Sequence, residues 1–245
     1  ERPDLKKIFF LHDLLPLHMS EYFRSGYRAM FDGVIDLMTR HANALITTTE
    51  AVREDVIADL KRRGRPAIPI FVAPLPSPLG DERAPFDETI HQHDYFIATG
   101  TIEPRKNHLL LLQVWRELVE RARAKGAEAP RLVIIGKRGW ENEQVIDLLE
   151  RCQQIGGHVI EASNLSSAGL CYLLRNARAA LCPSFGEGYG LPVVEALSLG
   201  TPVIASDIKV FREVSQNCAR FISPIDGKGW LEAIEEMSAQ TSAAQ

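Results

Sequence analysis

Hydrophobic and polar positions along the chain form two series in which short apolar runs alternate with longer helical stretches. The first series predicts strands at 5–11, 44–48 and 68–72, with helical stretches at 19–40 and 50–62 between them. Strands that alternate regularly with helices are typical of α/β proteins with a parallel sheet. We therefore expect a parallel sheet in this part of the chain.

A second α/β series begins at Tyr95. Between the two series, proline, glycine and charged residues interrupt both periodicities, as they do in linkers. We therefore predict domains at 1–78 and 94–245, joined by a linker at 79–93. The second series predicts strands at 95–99, 131–135, 158–161, 179–182, 202–205 and 219–222, and helices at 107–125, 141–154, 166–176, from Leu191 onward, 210–215 and 228–238.

The segment 183–195 carries the most informative chemistry of the chain. Its three glycines permit tight turns and close backbone approach, and Pro192 suits the first turn of a helix. The N–H groups at the start of that helix favour an anion such as a nucleotide diphosphate. Glu195, one turn inside the helix, suits the vicinal diol of a ribose, and Glu187 could reach sugar hydroxyls. A single glutamate would more simply be solvated, but the clustering favours a ligand site.

Two cations follow the strand predicted at 95–99. Arg105 and Lys106 precede a helix that we expect Asn107 to cap, so they lie at the carboxyl end of a strand, where open α/β sheets bind ligands. Fixed cations at this position would stabilise the negative charge of a departing diphosphate. The simpler alternative is a solvated pair of charges before a helix.

Together these segments resemble the retaining glycosyltransferases of family 4, which have the GT-B architecture. The acids of 183–195 match that family's signature of two glutamates separated by seven residues. Other segments resemble, in the family's order, a strand end of its first domain at 10–16, its donor-diphosphate loop at 99–107, the next strand and loop at 132–140 and the strand after the signature helix at 200–207.

The resemblance implies an α/β fold of GT-B type with Rossmann-like parallel-sheet domains. Residues 94–245 would be the complete nucleotide-sugar-binding domain, and 1–78 the C-terminal part of the acceptor domain. Roughly half of a first domain would then be absent. The chain is expected to be a fragment that can be inactive alone.

The activity implied is transfer of a hexose, with retention, from a nucleotide sugar to a hydroxyl of a glycan or lipid-linked acceptor in bacterial polysaccharide biosynthesis. GDP-mannose is the favoured donor and a UDP-hexose the alternative, with no metal and no cofactor. The family usually has Arg where Thr101 stands, which leaves Arg105 as a substitute. The catalytic residues implied are His12, Arg105, Lys106 and Glu187. The donor-binding residues implied are Gly100, Thr101, Lys106, Gly188, Tyr189, Gly190, Leu191 and Glu195.

Two other classes of function stay open. One is a non-catalytic nucleotide-sugar-binding module, and the other is a different enzyme of the same architecture, such as a sugar phosphorylase or a sugar-nucleotide epimerase. A dehydrogenase is the least favoured class, because no GxGxxG motif follows a predicted strand.

Composition narrows the choice of partners and location. The chain has 245 residues, of which 45% are hydrophobic, and its net charge of -4 argues against nucleic acid as the main partner. No apolar run approaches the length of a membrane span, so we expect a cytoplasmic protein, with the inner face of the membrane as a further location. The aromatic and basic stretch 19–40 could contact a membrane surface, although core packing is favoured. Oligomeric state stays open.

Other polar and sulphur-bearing side chains are expected to be structural. The four cysteines lie in apolar patterns without a CxxC pair and are expected to be reduced core thiols. His91 and His93 make a poor metal site, since they lie in the predicted linker and no cysteine accompanies them. Glu213 is expected to hold a loop. His18, His41, His108 and His158 are expected at the surface or at the ends of elements.

Overall fold

The computed structural model describes residues 5–80 and 94–239. Most of the predicted linker, and with it His91 and His93, lies outside the described residues. Two separate parallel sheets lie on either side of that segment, one of three strands and one of six. The fold class predicted from the sequence is therefore confirmed, while the domain boundaries stay a prediction.

The first sheet is formed by β1 (Ile8–Leu11), β2 (Ala44–Thr47) and β3 (Ile70–Val72). The strands are parallel and adjacent in chain order, with Phe10 opposite Ile46 and Ile46 opposite Phe71. All three strands were predicted, although the first and the third are shorter than expected. A small core on one face of this sheet contains Leu11, Leu14, Leu17, Ile35, Leu45, Val52, Val56 and Leu60.

The single helix predicted at 19–40 is wrong. The structure instead has a short helix α1 (Leu15–His18), a 3₁₀ turn at Ser20–Tyr22 and a helix α2 (Tyr27–His41). Gly26 precedes α2 with φ of 78°, a left-handed conformation that glycine adopts without a steric penalty and that interrupts the helix. The favoured core packing of this stretch is also wrong in part.

Four large apolar residues of α2 lie at the surface, namely Tyr27, Met30, Val34 and Leu37. Tyr27 and Met30 are 38% and 57% exposed, whereas Phe31 packs against the first core. The next helix, α3 (Glu50–Arg62), agrees with its prediction. Its start is fixed by Thr49, whose side-chain oxygen accepts the N–H of Val52 at 3.1 Å.

The second sheet is parallel and its strand order reverses once. The chain runs outward from the middle of the sheet through the first three strands, then returns to the middle and runs outward in the other direction, giving the order β6-β5-β4-β7-β8-β9. In such sheets the crevice at the carboxyl ends of the two middle strands is where ligands bind. The strands are β4 (Tyr95–Thr99), β5 (Arg131–Ile135), β6 (Val159–Ala162), β7 (Ala180–Cys182), β8 (Val203–Ser206) and β9 (Arg220–Ile222).

Helices cover both faces of the second sheet. One face buries Phe96, Trp115 and Trp230, and the other buries Val193 and Phe211. The helices are α4 (His108–Ala124), α5 (Glu143–Arg151), α6 (Ser167–Asn176), α7 (Leu191–Ser198), α8 (Lys209–Val214) and α9 (Gly227–Ala239). Each was predicted, and α5 is shorter than expected at both ends.

Two expectations about individual residues, Asn107 and Cys218, are corrected by the structure. Asn107 precedes α4 but its side chain caps nothing. Its Nδ2 donates instead to the carbonyl oxygens of Pro183 at 3.2 Å and Pro224 at 2.9 Å. His108 begins α4, which agrees with the expected position at the end of an element, and its side chain is buried. All four cysteines are free thiols, but Cys218 is exposed and is not a core residue.

Contacts between the two sheets close one side of a cleft. Glu213 accepts the backbone N–H groups of Glu50 at 2.6 Å and Ala51 at 3.0 Å, so it satisfies the free donors at the start of α3. The hydroxyl of Tyr189 donates to the carbonyl of Leu75 at 2.7 Å. Glu213 therefore has the structural role expected of it. The backbone that it holds is the start of α3, in the first part of the chain.

Candidate active site

A cavity of about 550 Å³ lies between the two sheets. It is located where β1, β4 and β7 end, and therefore at the crevice that the strand order of the second sheet defines. The predicted site residues, from both parts of the chain, line this one cavity. They are His12, Gly100, Thr101, Arg105, Lys106, Glu187, Gly188, Tyr189, Gly190, Leu191 and Glu195.

Glu187 is the centre of a buried ion-pair cluster. Its Oε1 accepts from Lys106 Nζ at 2.7 Å and from the Ser184 hydroxyl at 2.8 Å. Its Oε2 pairs with Arg105 at 2.8 Å. The residue is only 9% exposed, so these partners replace the water that an ionised carboxylate would otherwise need.

The electrostatics of this cluster keep Glu187 ionised. Burial by itself raises the pKa of the Glu187 carboxyl, but Lys106 and Arg105 outweigh it through their charges and hydrogen bonds, and the pKa falls to about 2. Opposite charges within hydrogen-bond distance favour the charged form of both partners. Glu187 is therefore ionised at neutral pH and is held by hydrogen bonds to Lys106 and Arg105.

Arg105 is held more completely than Lys106. One guanidinium nitrogen donates to the Gly186 carbonyl at 2.6 Å, and another donates to Glu103 Oε1 at 2.6 Å. With Glu187 these contacts use three of the five N–H groups of a guanidinium. Lys106 uses one of its three ammonium hydrogens on Glu187. Lys106 therefore keeps two of its three hydrogens for a ligand in the cavity, whereas Arg105 keeps two of its five.

The loop before α7 brings the backbone close to the cavity. Gly190 has φ of 93°, and a Cβ atom there would stand 2.8 Å from the Phe211 ring, so glycine is required. The N–H groups of Val193 and Val194 both donate to the Gly190 carbonyl. Because Pro192 has no N–H, the Leu191 N–H is, among the described residues of this turn, the donor left for an anion.

Glu195 points into the same cavity from one turn inside α7. Burial raises the pKa of its carboxyl, an effect that the charge of Lys106 opposes. Within the described parts of the chain, no hydrogen bond or ion pair to this carboxylate is found. A half-buried carboxylate without a protein partner is suited to accept hydroxyl hydrogens from a ligand.

His12 and Asp13 face the glycine loop from the end of β1. The His12 ring lies 4.8 Å from that of Phe10, and the residue is exposed towards the cavity. Asp13 Oδ1 accepts the N–H of Leu15 at 2.9 Å. A Cβ atom on Gly188 would stand 2.5 Å from Asp13 Oδ2, so the two chain segments are in direct contact.

A second close approach shapes the diphosphate-loop side of the cavity. Gly100 has φ of 122°, and the Lys106 side chain lies 3.4 Å from where its Cβ would be. Directly after β5, a Cβ on Gly136 would stand 1.9 Å from the Gly100 carbonyl oxygen. Thr101 lines the cavity with an uncharged side chain, where the resemblance implied an arginine in most members.

Four residues of the site were not predicted. Thr48, Ser184, Glu103 and Asp13 all contact predicted site residues. Asp13 is next to His12 in the sequence, and Glu103 and Ser184 lie inside the segments 99–107 and 183–195. Their positions in the sequence could therefore have identified these three residues as candidates. Thr48 had no such signal, because it meets Gly188 from a strand end 140 residues earlier.

His108 is a buried histidine directly behind the ion-pair cluster. It shares a small cavity with Lys106 and Glu187. Its pKa is lowered to about 4, chiefly by burial and further by the charge of Lys106. Its Nδ1 is buried without a hydrogen-bond partner in the described residues. The ring is therefore neutral at pH 7.

Two kinds of feature are not found within residues 5–80 and 94–239. No group of three or more histidine, cysteine or acidic side chains is arranged to hold a metal ion. None of the helices there combines the length and the apolar character that a membrane crossing requires.

Comparison with known proteins identifies the family. Residues 81–242 match the family model for glycosyl transferases group 1. The chain therefore belongs to the group 1 glycosyltransferases. This agrees with the resemblance found in the sequence and with the GT-B arrangement of two parallel sheets around a cleft.

Individual relatives cover most of this chain. The serotype-specific mannosyltransferase WbdA of Escherichia coli is 31% identical over 245 residues, which is 94% of this chain and 29% of the relative. The O-antigen chain mannosyltransferase RfbU of Salmonella typhimurium is 25% identical over 233 residues, which is 93% of this chain and 59% of the relative. The chain therefore spans less than two thirds of either protein.

The fold is also that of a solved structure with a nucleotide sugar. An Escherichia coli structure described as trehalose-6-phosphate bound with UDP-2-fluoro glucose superposes with a TM-score of 0.74. The overlap covers 95% of this chain and 60% of that chain, at 14% identity. At this identity the likeness shows the GT-B fold.

Proposed function

We propose that this protein transfers a hexose, with mannose favoured, from a nucleotide sugar to a hydroxyl of a glycan or lipid-linked acceptor in bacterial polysaccharide synthesis. Two relatives that cover more than nine tenths of the chain are named mannosyltransferases, and one of them is named for the O-antigen chain. GDP-mannose is the proposed donor, and a UDP-hexose is the alternative. We also propose that the reaction takes place in the cytoplasm, with lipid-linked acceptors at the inner face of the membrane.

The arrangement of charge in the cavity carries this proposal. The cavity is lined by Lys106 and Arg105, by the start of α7, and by Glu195, whose carboxylate has no partner among the described residues. A nucleotide sugar has a diphosphate, a ribose diol and a hexose, and each finds a matching group here. The diphosphate would take the spare donors of Lys106 and the Leu191 N–H, and the ribose would bind Glu195.

The hexose would lie between the two sheets. His12, from the end of β1, and Glu187, from the glycine loop, both line the cavity. Glu187 already binds two cations, but each carboxylate oxygen has two lone pairs, so it can also accept a sugar hydroxyl. In this arrangement Glu187 both holds Lys106 and Arg105 in position and orients the sugar.

We propose that the transfer proceeds on one face of the sugar, with retention. The bond between the anomeric carbon and the phosphate oxygen breaks as the acceptor oxygen forms its bond to that carbon. The departing phosphate oxygen takes the acceptor's proton. Lys106 and Arg105 stabilise the charge that develops on the phosphate, which is the kind of contact that lowers a barrier because it strengthens in the transition state.

Calorimetry with nucleotides tests the donor site directly. We expect GDP to bind more tightly than UDP or ADP, and expect Glu195→Ala and Lys106→Ala each to weaken binding at least tenfold. Two exposed residues outside the cavity give matched controls, Glu232→Ala on α9 and Lys125→Ala after α4. If no nucleotide binds, or if both controls weaken binding as much as the site variants do, the proposed donor site is wrong.

A further inference from the structure

A second cavity of about 350 Å³ opens directly beside the donor cavity. His12, Asp13, Glu103 and Arg105 line both cavities, so these four residues form the boundary between them. We call the second cavity the α2 groove, because much of its lining comes from α2. Beyond the boundary it is lined by apolar and aromatic side chains, including Phe10, Phe23, Tyr27, Phe31 and Trp140.

One wall of the α2 groove is an aromatic row. The rings of Phe23 and Tyr27 have centroids 5.8 Å apart at 9° between their planes, and those of Tyr27 and Phe31 are 6.1 Å apart at 20°. Tyr27 and Phe31 are four apart on α2, so their side chains lie on one face of that helix, and Phe23 extends the row from the segment before it. These separations exceed the contact distance of about 4 Å between stacked carbon atoms, so the rings are laterally offset and leave ring area open.

The groove is also lined by a residue from the second part of the chain, Trp140. Trp140 follows β5, and its indole N–H donates to the carbonyl of Tyr22 at 3.2 Å. The Arg24 guanidinium lies 5.7 Å from the centroid of the indole ring. Both contacts fix Trp140 against the segment that leads into α2, so the groove is bounded by both halves of the cleft.

The inner end of the groove is polar. The Glu103 carboxylate is occupied by Arg105, and Asp13 Oδ1 is occupied by the N–H of Leu15. No hydrogen bond to Asp13 Oδ2 is found among the described residues. The pKa of the Asp13 carboxyl is raised, chiefly by burial. The hydrogen bond from Leu15 and the charge of Arg105 oppose this shift but do not cancel it. A desolvated carboxylate oxygen at this boundary favours a hydroxyl donor as its partner.

We propose that the α2 groove binds the terminal sugars of a glycan acceptor, with ring faces against Tyr27 and the acceptor hydroxyl on Asp13 Oδ2. This assignment rests on the proposed glycosyl transfer. A sugar presents C–H groups on its faces and hydroxyls at its edge, which matches an aromatic wall that ends in a carboxylate. A lipid chain would match the wall but would leave Asp13 without a partner.

The position of the boundary explains why such an acceptor would be productive. A hydroxyl held by Asp13 is adjacent to His12 and Arg105, which belong to the proposed sugar and phosphate sites. Holding two reactants side by side supplies much of the catalysis in a transfer reaction. Asp13 is a positioning residue in this proposal, since the acceptor proton goes to the phosphate oxygen.

Two measurements on the full polypeptide test this assignment, the binding of mannotriose and the kinetics of transfer to it. Mannotriose serves as the acceptor probe in both. Saturation-transfer NMR without donor should show mannotriose binding that Tyr27→Ala abolishes. With GDP-mannose present, Tyr27→Ala and Asp13→Asn should raise the KM for mannotriose at least tenfold and the KM for GDP-mannose less than twofold. Leu37→Ala is the matched control, because Leu37 lies on α2, is 61% exposed and does not line the groove.

The possible outcomes separate this proposal from the donor site. Mannotriose binding that survives both substitutions would overturn the acceptor assignment while leaving nucleotide binding intact. Loss of nucleotide binding in the unsubstituted protein would overturn the proposed function, whatever the groove binds. If Tyr27→Ala and Leu37→Ala both reduce sedimentation with phosphatidylglycerol vesicles and leave the KM for mannotriose unchanged, α2 contacts a membrane and the glycan assignment is wrong.

Discussion

The hydroxyl of Thr48 donates a hydrogen bond to the carbonyl oxygen of Gly188 at 2.8 Å, which ties the end of β2 to the glycine loop 140 residues later. The same hydroxyl lies 3.3 Å from the carbonyl of His12. Thr48 therefore joins two segments that the proposed reaction needs at a fixed separation. Gly188 also packs directly on Asp13, where a Cβ atom would not fit.

Thr48→Val should lower transfer more than it lowers stability. The substitution keeps the volume but removes the hydroxyl, and a typical buried hydrogen bond contributes about 1 kcal/mol to the free energy of unfolding. Because the lost bond fixes the loop that holds Glu187, we expect kcat to fall at least tenfold. Urea unfolding and steady-state kinetics on the same samples measure both quantities.

Thr39→Val is the matched control for that variant. The Thr39 hydroxyl is buried and donates to the Ile35 carbonyl at 2.7 Å within its own helix. A similar loss of stability without a loss of kcat is expected. Equal losses of kcat in the two variants would show that Thr48 acts through general stability alone.

Lys106→Ala should reduce kcat by about a hundredfold, which is the usual order for removing one donor to a developing anion. The reason is that Lys106 has two ammonium hydrogens available beyond its bond to Glu187. Arg105→Ala should destabilise the protein more, since Arg105 also binds Glu103 and the Gly186 carbonyl. Single-turnover rates together with thermal melting distinguish the two effects. Equal kcat values for Lys106→Ala and the unsubstituted protein would contradict the phosphate role.

Glu187→Gln should lower the free energy of unfolding by about 3 kcal/mol, because it leaves two buried cations without their carboxylate. The folded-state pKa of Glu187 is lowered to about 2. Its stabilising contribution is therefore complete above the ordinary carboxyl pKa of about 4.5 and is lost as pH falls towards 2. The variant should show a smaller loss of stability over that window, and acid unfolding curves of the two proteins test this.

His108 should make the protein less stable below neutral pH. Burial lowers its pKa to about 4 in the folded state from the ordinary histidine value of 6.5, so protons bind the unfolded chain more readily. The contribution of His108 to the free energy of unfolding is therefore fully present above pH 6.5. It is lost as the pH falls towards 4, and the loss is on the order of 3 kcal/mol.

His108→Asn should remove most of that dependence, since asparagine does not titrate. His41→Asn is the control, because His41 is exposed at the end of α2. The measurement is the free energy of unfolding from urea curves at pH 4.5, 5.5 and 7. A dependence that His108→Asn leaves unchanged would show that other groups cause it.

The alternation of elements was readable from the sequence because it depends on local periodicity. Apolar runs and helical spacing located each strand, and Pro192 located the start of α7 at Leu191. The failure at 19–40 has a local cause as well. Gly26 adopts a left-handed conformation that apolar spacing does not reveal, so a helix that looked continuous is broken.

Asn107 and His108 show where local inference ends. Asparagine before a helix usually caps it, yet here its side chain binds the carbonyls of Pro183 and Pro224 from distant segments. His108 begins a helix, where exposure is common, but it is buried behind Lys106. Both outcomes depend on what packs against the residue, which no local pattern specifies.

By itself the sequence determined the α/β class, the strand-end cations and the family, since these depend on residues close together in the chain. The tertiary structure decided the strand order that opens a crevice between β4 and β7. It also decided that Glu187 binds Lys106 across 81 residues and that Asp13 lies between two cavities. These relationships arise when the two sheets meet, because only packing brings side chains from distant segments within hydrogen-bond distance.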